Sequence, residues 1–158
     1  MIDELTSSLA GGSRTVLLRK AIALFSPLVV KALPSYFHGI TSLAQAEAWY
    51  EKMTSDSRLL TVSSKDTNEL LGFVFLSIEN NTAHIGYLLG EQHWGKGYAK
   101  ECLSGLIGWC LADAVIKVLM AGVEKENVAS AKLLEGLGFT TYLNEDRSVV
   151  FYKYQLSS

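Results

Sequence analysis

At 158 residues, 49% hydrophobic and 19% charged, the chain can close one substantial core and is short for two, since domains commonly run to ~100–200 residues; a single domain over residues 1–158 is expected. A formal net charge of -2 carries no cationic excess, which argues against bulk attraction to nucleic acid or to an anionic membrane surface. The longest apolar run, residues 21–30, falls well short of the ~20 residues that span a bilayer, and the acidic N-terminus lacks the apolar stretch of a secretory signal, so a soluble cytoplasmic protein is expected.

Residues 1–12 read as a flexible leader that ends at the Gly11-Gly12 break. RTVLLRKAI, residues 14–22, has the leucine and β-branched content of a first strand, although its length also allows a helix. Pro27 and Pro34 then interrupt any long helix. Thr41 or Ser42 is placed to cap a helix through LAQAEAWYEKM, where Leu43, Ala46, Trp49, Tyr50 and Met53 follow a helical period as far as about Ser55. The period then changes. RLLTVSS, ELLGFVFLSIEN and TAHIGYLL are β-rich runs separated by the turn compositions KDTN and ENNT, an antiparallel meander.

That meander feeds the loop GEQHWGKG, after which residues 98–115 read as an amphipathic helix buried along Leu103, Leu106, Ile107, Cys110 and Leu111. Cys102 and Cys110 lie eight apart among apolar neighbours, which fits buried free thiols in a reducing compartment rather than a disulfide or a metal site. A fifth strand, IKVLMAGVE, leads to a second helix in VASAKLLEGLGF with Gly138 suited to its C′ position, and TTYLN and SVVFYKYQL form a closing hairpin around residues 145–147. Strand, helix and strand in succession at the centre require a parallel pair with a right-handed crossover beside the antiparallel meander. The fold class is therefore α/β (α+β), a mixed sheet with helices on both faces.

Gln92, Gly95 and Gly97 are spaced so that a short loop brings several backbone N–H groups to one point at a helix N-terminus, where the helix dipole also favours an anion. A glycine-rich turn that is merely tight has the same spacing. Asn127 suits a helix N-cap, and Ser130 lies one turn further on.

Taken together, Gln92-x-x-Gly95-x-Gly97 opening one helix and Asn127-x-x-Ser130 running to Leu137-Gly138-Phe139 in the next resemble the acetyl-CoA-binding motifs of the GNAT superfamily of N-acetyltransferases. The nearest flavour is the ribosomal-protein N-terminal acetyltransferase branch, in which a strand like His84-Ile85-Gly86-Tyr87 leads into Trp94-Gly95-Lys96-Gly97-Tyr98-Ala99. The resemblance is strong from Leu71 to Tyr142 and weak elsewhere. It implies a mostly antiparallel seven-stranded sheet whose central parallel pair splays apart, and a direct transfer of the acetyl group from the CoA thioester to a primary amine, of a protein N-terminus or a small molecule. Acetyl-CoA is then the co-substrate, with no metal, nucleic acid or membrane partner, and a homodimer is left open.

The resemblance also implies roles. The N–H groups of Gly95, Lys96, Gly97, Tyr98 and Ala99 receive the CoA pyrophosphate, with Lys96 as an added point charge. Gly86 and Leu88 bond the pantetheine amides, Asn127 holds the pantetheine arm, and the Leu88 N–H is placed to donate to the thioester carbonyl. Ser130 matches the serine near the sulfur. The tyrosine many members use further along that helix is absent at Leu133 and Leu134, with Tyr142 as a substitute acid. Thr82 stands where some members carry a basic glutamate; His84 lies two residues on, on the same strand face, with Glu79 or a water chain as alternatives. These departures keep a catalytically weak CoA-binding or regulatory domain as the alternative function, whereas a dinucleotide-binding fold is disfavoured because the loop lacks G-x-G-x-x-G and follows a meander. The acceptor is read by residues 23–56 and the closing hairpin, where Tyr36, Phe37 and Trp49 either line a cleft or pack the core.

Overall fold

Residues 14–22 carry two patterns at once, strand-like composition and helix-like spacing, and the spacing decides. In the computed structural model, which describes residues 2–5, 11–31, 33, 35–64, 66–67, 69–113, 115–142 and 148–156, Gly11–Leu24 is a helix (α1). Leu18 and Ala21 are fully buried on it and Leu24 nearly so, an i, i+3, i+6 stripe that no strand would turn to one side. The partner that rewards this stripe is a helix over Leu43–Asp56 (α3), which buries Ala46, Trp49, Tyr50 and Met53. Arg14 clamps the two helices together: its guanidinium lies 2.9 Å from Glu51 and 3.3 Å from Glu47 and sits 4.5 Å above the Tyr50 ring. The expected strand at residues 14–22 is thus corrected to a helix. The first strand lies earlier, at Ile2–Leu5 (β1), within the stretch expected to be a leader, and pairs antiparallel with Arg58–Ser63 (β2), Leu5 opposite Leu59.

Between α1 and α3, Ser26 caps a short helix at Pro27–Val30 (α2), accepting from the Val29 N–H at 3.4 Å. Of the two cap candidates, Thr41 and Ser42, the structure uses Ser42, which forms a reciprocal capping box with Gln45 at the start of α3.

The other strands fall where the alternation places them: Leu70–Glu79 (β3), Thr82–Leu89 (β4), Val118–Glu124 (β5), Thr140–Tyr142 (β6) and Val149–Gln155 (β7). They join β1 and β2 in one seven-stranded sheet, in the order β1-β2-β3-β4-β5-β7-β6. Asn80, at φ +58°, makes the turn between β3 and β4, a left-handed position that asparagine tolerates. β4 and β5 are the parallel pair, bonded only through Thr82–Val118, Ala83–Leu119 and His84–Met120. β7 lies antiparallel to β5 along its whole length and to β6. The closing turn expected at 145–147 lies outside the described residues.

The remaining helices are Tyr98–Leu111 (α4) and Val128–Gly136 (α5). α4 stops four residues before the expected Val115, because Asp113 turns the chain out: its side chain accepts from the Val115 N–H at 2.8 Å. No described helix is long and apolar enough to cross a membrane.

The chain divides into two compact units. One holds the residues up to Phe75 with Tyr87–Tyr98, the other Leu76–Gly86 with Ala99–Ser158. The first is built on an aromatic cluster in which Phe25, Phe37, Trp49 and Phe73 meet with ring centroids 5.0–6.3 Å apart, and Leu88 of β4 belongs to the same core. The second buries Cys102, Leu103, Leu106 and Cys110 of α4, Leu119 of β5 and Leu134 of α5.

Both cysteines are free and buried, and burial pushes the Cys102 thiol up to about 12. An unfolded thiol ionises near ~8.5, so between that pH and about 12 the folded state holds a proton that the unfolded state has lost. This contribution to stability is complete below pH ~8.5 and is lost as pH rises, by at most about 1.4 kcal/mol per pH unit. Urea titrations at pH 8 and pH 10.5 should therefore show the unaltered protein losing at least about 1 kcal/mol more than Cys102→Ala, and equal losses would refute a protonated buried thiol.

Candidate active site

β4 delivers the chain into the glycine loop past a close approach to β3, and the last two residues before the loop are held by hydrogen bonds. The Leu88 carbonyl oxygen lies so near Gly72 of β3 that a Cβ there would stand 2.0 Å from it. The Leu89 carbonyl accepts from the Trp94 indole N–H at 3.0 Å, and the Gly90 N–H donates to the Leu71 carbonyl at 2.9 Å. A single 3-10 turn, Glu91–His93, follows, closed by the His93 N–H on the Gly90 carbonyl at 2.9 Å and by the Trp94 N–H on that of Glu91 at 3.2 Å. Glu91 in turn accepts from the Ser26 hydroxyl at 3.0 Å, tying the turn to the start of α2.

Beyond Trp94 the bonding stops. Gly95 and Gly97 adopt φ +75° and +82°, left-handed values that an L side chain resists, and a Cβ at either would meet nothing within 4 Å. Among the described residues, the main-chain N–H groups of Gly95, Lys96 and Gly97 have no acceptor, and all three residues are exposed. Tyr98 and Ala99 begin α4, whose first-turn N–H groups have no partner within the helix. These amides lead into a helix N-terminus, where the helix dipole adds positive potential. Gln92 folds back, its side-chain oxygen 3.0 Å from where a Gly90 Cβ would be. His93 is buried beside it, edge-on to Tyr98 at 5.9 Å, with Nε2 unbonded and 3.9 Å from a Glu69 carboxylate oxygen.

In the second unit, His84 is exposed and forms the last rung of the ladder to β5, opposite Met120, so Gly86 lies past the end of that pairing. Asn127 caps α5, its side-chain oxygen accepting from the Ser130 N–H at 3.2 Å, and Ser130 is half-buried. α5 ends in a Schellman arrangement: Phe139 N–H to the Leu134 carbonyl at 3.0 Å, Gly138 N–H to that of Glu135 at 3.1 Å, with Gly138 at φ +102°.

The sequence profile of the acetyltransferase (GNAT) domain matches residues 18–140, most of the chain. The chain belongs to the GNAT family. Among curated proteins, an uncharacterized N-acetyltransferase p20 of Bacillus licheniformis is 42% identical over 78 residues, 48% of this chain and 44% of that one. An L-methionine sulfoximine/L-methionine sulfone acetyltransferase of Pseudomonas aeruginosa is 29% identical over 104 residues, 61% of this chain and 59% of that one. The chain spans about half the length of the curated relatives it matches. A spermidine N-acetyltransferase SpeG mutant from Vibrio cholerae superimposes with a TM-score of 0.75 at 19% identity, covering 99% of this chain and 95% of that one. A ribosomal-protein-alanine N-acetyltransferase from Brucella melitensis gives 0.69 at 18% identity over 98% and 99% of the two chains; likenesses this distant speak for the fold.

On this GNAT fold some assignments change. Phe37 and Trp49, open between cleft and core, are core: both are almost fully buried, while Tyr36 is exposed under the Lys52 ammonium at 5.0 Å. Tyr142, named as a substitute acid, is half exposed on β6. No group of three or more His, Cys, Asp or Glu able to hold a metal ion is found among the described residues. Gly72, His93 and the Trp94 indole went unread in the sequence, although a lone glycine inside a strand marks a close backbone approach and so signals Gly72.

Because a Cβ at Gly97 would meet only open space, alanine there carries a conformational cost and no steric one. Gly97→Ala should lower stability by roughly 1–2 kcal/mol and Gly97→Asn by less, since asparagine visits the left-handed region more readily. Urea unfolding of the two variants checks this, and equal losses would show that the positive φ is not what the loop uses.

Proposed function

We propose that this protein is an acetyl-CoA-dependent N-acetyltransferase that moves an acetyl group directly from the CoA thioester to a primary amine, of a protein N-terminus or a small molecule. The observation that carries it is the run of unbonded amides at Gly95, Lys96 and Gly97, continued by the first turn of α4. A diphosphate accepts hydrogen bonds from such a set without displacing any bond within the protein. Family membership and the names of the relatives support the reading from a separate direction. Lys96, exposed on the loop, adds a point charge for a phosphate, and Asn127 and Gly86 are assigned to the pantetheine arm.

In the reaction the amine nitrogen bonds to the thioester carbon as the C–S bond breaks, and the proton lost from nitrogen is balanced by the one gained at sulfur. The Leu88 N–H is assigned to the carbonyl oxygen, where negative charge grows. Ser130 is assigned to protonation of the sulfur. His84, exposed and hence free to exchange protons with water, is assigned to deprotonation of the ammonium form of the acceptor. Holding both substrates together supplies much of the rate, as oriented intramolecular reactions gain ~7–11 kcal/mol. Two buried free thiols favour a reducing, cytoplasmic setting.

Calorimetry with acetyl-CoA, followed by thiol release across N-terminal peptides, polyamines, amino acids and aminoglycosides, tests the reading. Saturable binding and amine-dependent thiol release are expected. Binding without release from any amine would leave a CoA-binding regulatory domain, and no binding at millimolar ligand would remove both. Ser130→Ala and His84→Ala should each slow turnover by roughly 10²-fold or more if they move protons; unchanged rates in both would leave positioning as the catalytic effect.

A further inference from the structure

The N–H groups of Gly95, Lys96 and Gly97 make no bond that would hold their own loop in shape. The glycines add no packing either, since no atom outside the adjoining residues lies within 4 Å of where a Cβ on Gly95 or Gly97 would be. Two glycines in a short segment leave the chain many conformations, so the shape has to be imposed from the flanks.

The flanking residues do meet. His93 ends the 3-10 turn on one side of the loop, and Tyr98 opens α4 on the other. Their rings pack edge-on across the base of the loop, with centroids 5.9 Å apart and planes at 80°. His93 is buried and Tyr98 half-buried, so the contact is sheltered from water. The His93 side is itself fixed: its N–H donates to the Gly90 carbonyl at 2.9 Å, and the Trp94 indole that follows is bonded to the Leu89 carbonyl at 3.0 Å. The ring contact carries that fixed position over to the far side, where α4 begins.

What the imidazole contributes there is its ring. Nε2 lies 3.9 Å from a carboxylate oxygen of the exposed Glu69, beyond hydrogen-bond reach. An edge-on pair with Tyr98 asks only for a flat aromatic ring in that place.

We infer that His93 is a positioning residue for the cofactor: its ring contact with Tyr98 holds together the two sides of the loop whose amides are assigned to the diphosphate. This rests on the transferase reading and on that assignment. The buried His93 ring touches no substrate, and because it acts through the loop its effect falls on binding of acetyl-CoA and leaves the chemical step alone.

The test compares His93→Leu, which fills the site without a ring, with His93→Phe, which restores the ring without the nitrogens. For His93→Leu the calorimetric Kd for CoA and the KM for acetyl-CoA should both rise about tenfold, the order of an aromatic pair, while kcat at saturating acetyl-CoA stays within threefold. His93→Phe should return both constants to within threefold of the unaltered protein. His93→Leu and Tyr98→Leu break one contact, so the double variant should bind CoA within threefold of either single variant. An unchanged Kd in His93→Leu, a Phe variant as weak as the Leu one, or a double variant weakened by the product of the two single effects would each overturn the inference. Should His93→Leu fail to fold, Tyr98→Leu and Tyr98→Phe repeat the comparison from the half-buried side, with the same outcomes expected and the same ones fatal. An unaltered protein that binds no CoA at millimolar ligand would instead remove the transferase reading beneath it.

Discussion

Two left-handed glycines two residues apart, Gly95 at φ +75° and Gly97 at +82°, turn successive amides outward, and the site depends on that constraint. An amide that points out of a loop is stable only where water reaches it, and Gly95, Lys96 and Gly97 are all exposed. The same exposure leaves them open to an anion. Under the transferase reading, donors left unbonded in this way would be organised before a phosphate arrives and would spend little ordering entropy. The helix that follows starts at Tyr98 and carries Glu101 in its first turn, which offsets part of the positive end of its dipole.

A donor set is useful only as far as its approach is rigid. Here rigidity comes from the side of the loop that carries no glycine motif. The turn Glu91–His93 is closed by two main-chain bonds, the indole of Trp94 reaches back to Leu89, and Leu88 is packed into the core built by α1, α3 and β3. A core of Phe25, Phe37, Trp49 and Phe73 rings is close-packed and yields little, so a strand end resting on it holds its place to within fractions of an ångström. The first unit is stiff for that reason. Within the second, β5 is bonded to β7 throughout and to β4 as far as His84.

What was legible in the sequence follows the range over which each signal acts. α3 announced itself through a five-residue stripe and a cap at Thr41 or Ser42, and α5 through Asn127 and Gly138; all of these are contained in one stretch of chain. The Gln92, Gly95, Gly97 spacing was legible for the same reason. RTVLLRKAI was misread because its nine residues satisfy either period, and only the α3 surface, with Glu47 and Glu51 waiting for Arg14, selects the helix. IDEL was passed over because a four-residue edge strand acquires its meaning from β2, more than fifty positions away. Trp49 stayed open between cleft and core for a similar reason: exposure is a property of the neighbours, and the residue type speaks only of tendency.

The glycines separate these two kinds of information further. At Gly95 and Gly97 the requirement is a dihedral angle, with open space around each missing Cβ; at Gly72 it is the reverse, an ordinary φ with main-chain atoms 2.0–3.0 Å from where a Cβ would be. A dihedral requirement is local and tends to recur at fixed spacing, so it forms a motif. A space requirement is imposed by another strand and leaves a single unpatterned letter, Gly72 in ELLGFVF, that reads as a mild weakness in β-propensity. The two respond differently to mutation as well. Asparagine can partly replace a glycine whose φ is the issue, whereas no side chain of any type can replace one whose Cβ would overlap a carbonyl. It follows that a glycine kept for its dihedral angle can be recognised from its own stretch of chain, and one kept for space only from the strand beside it.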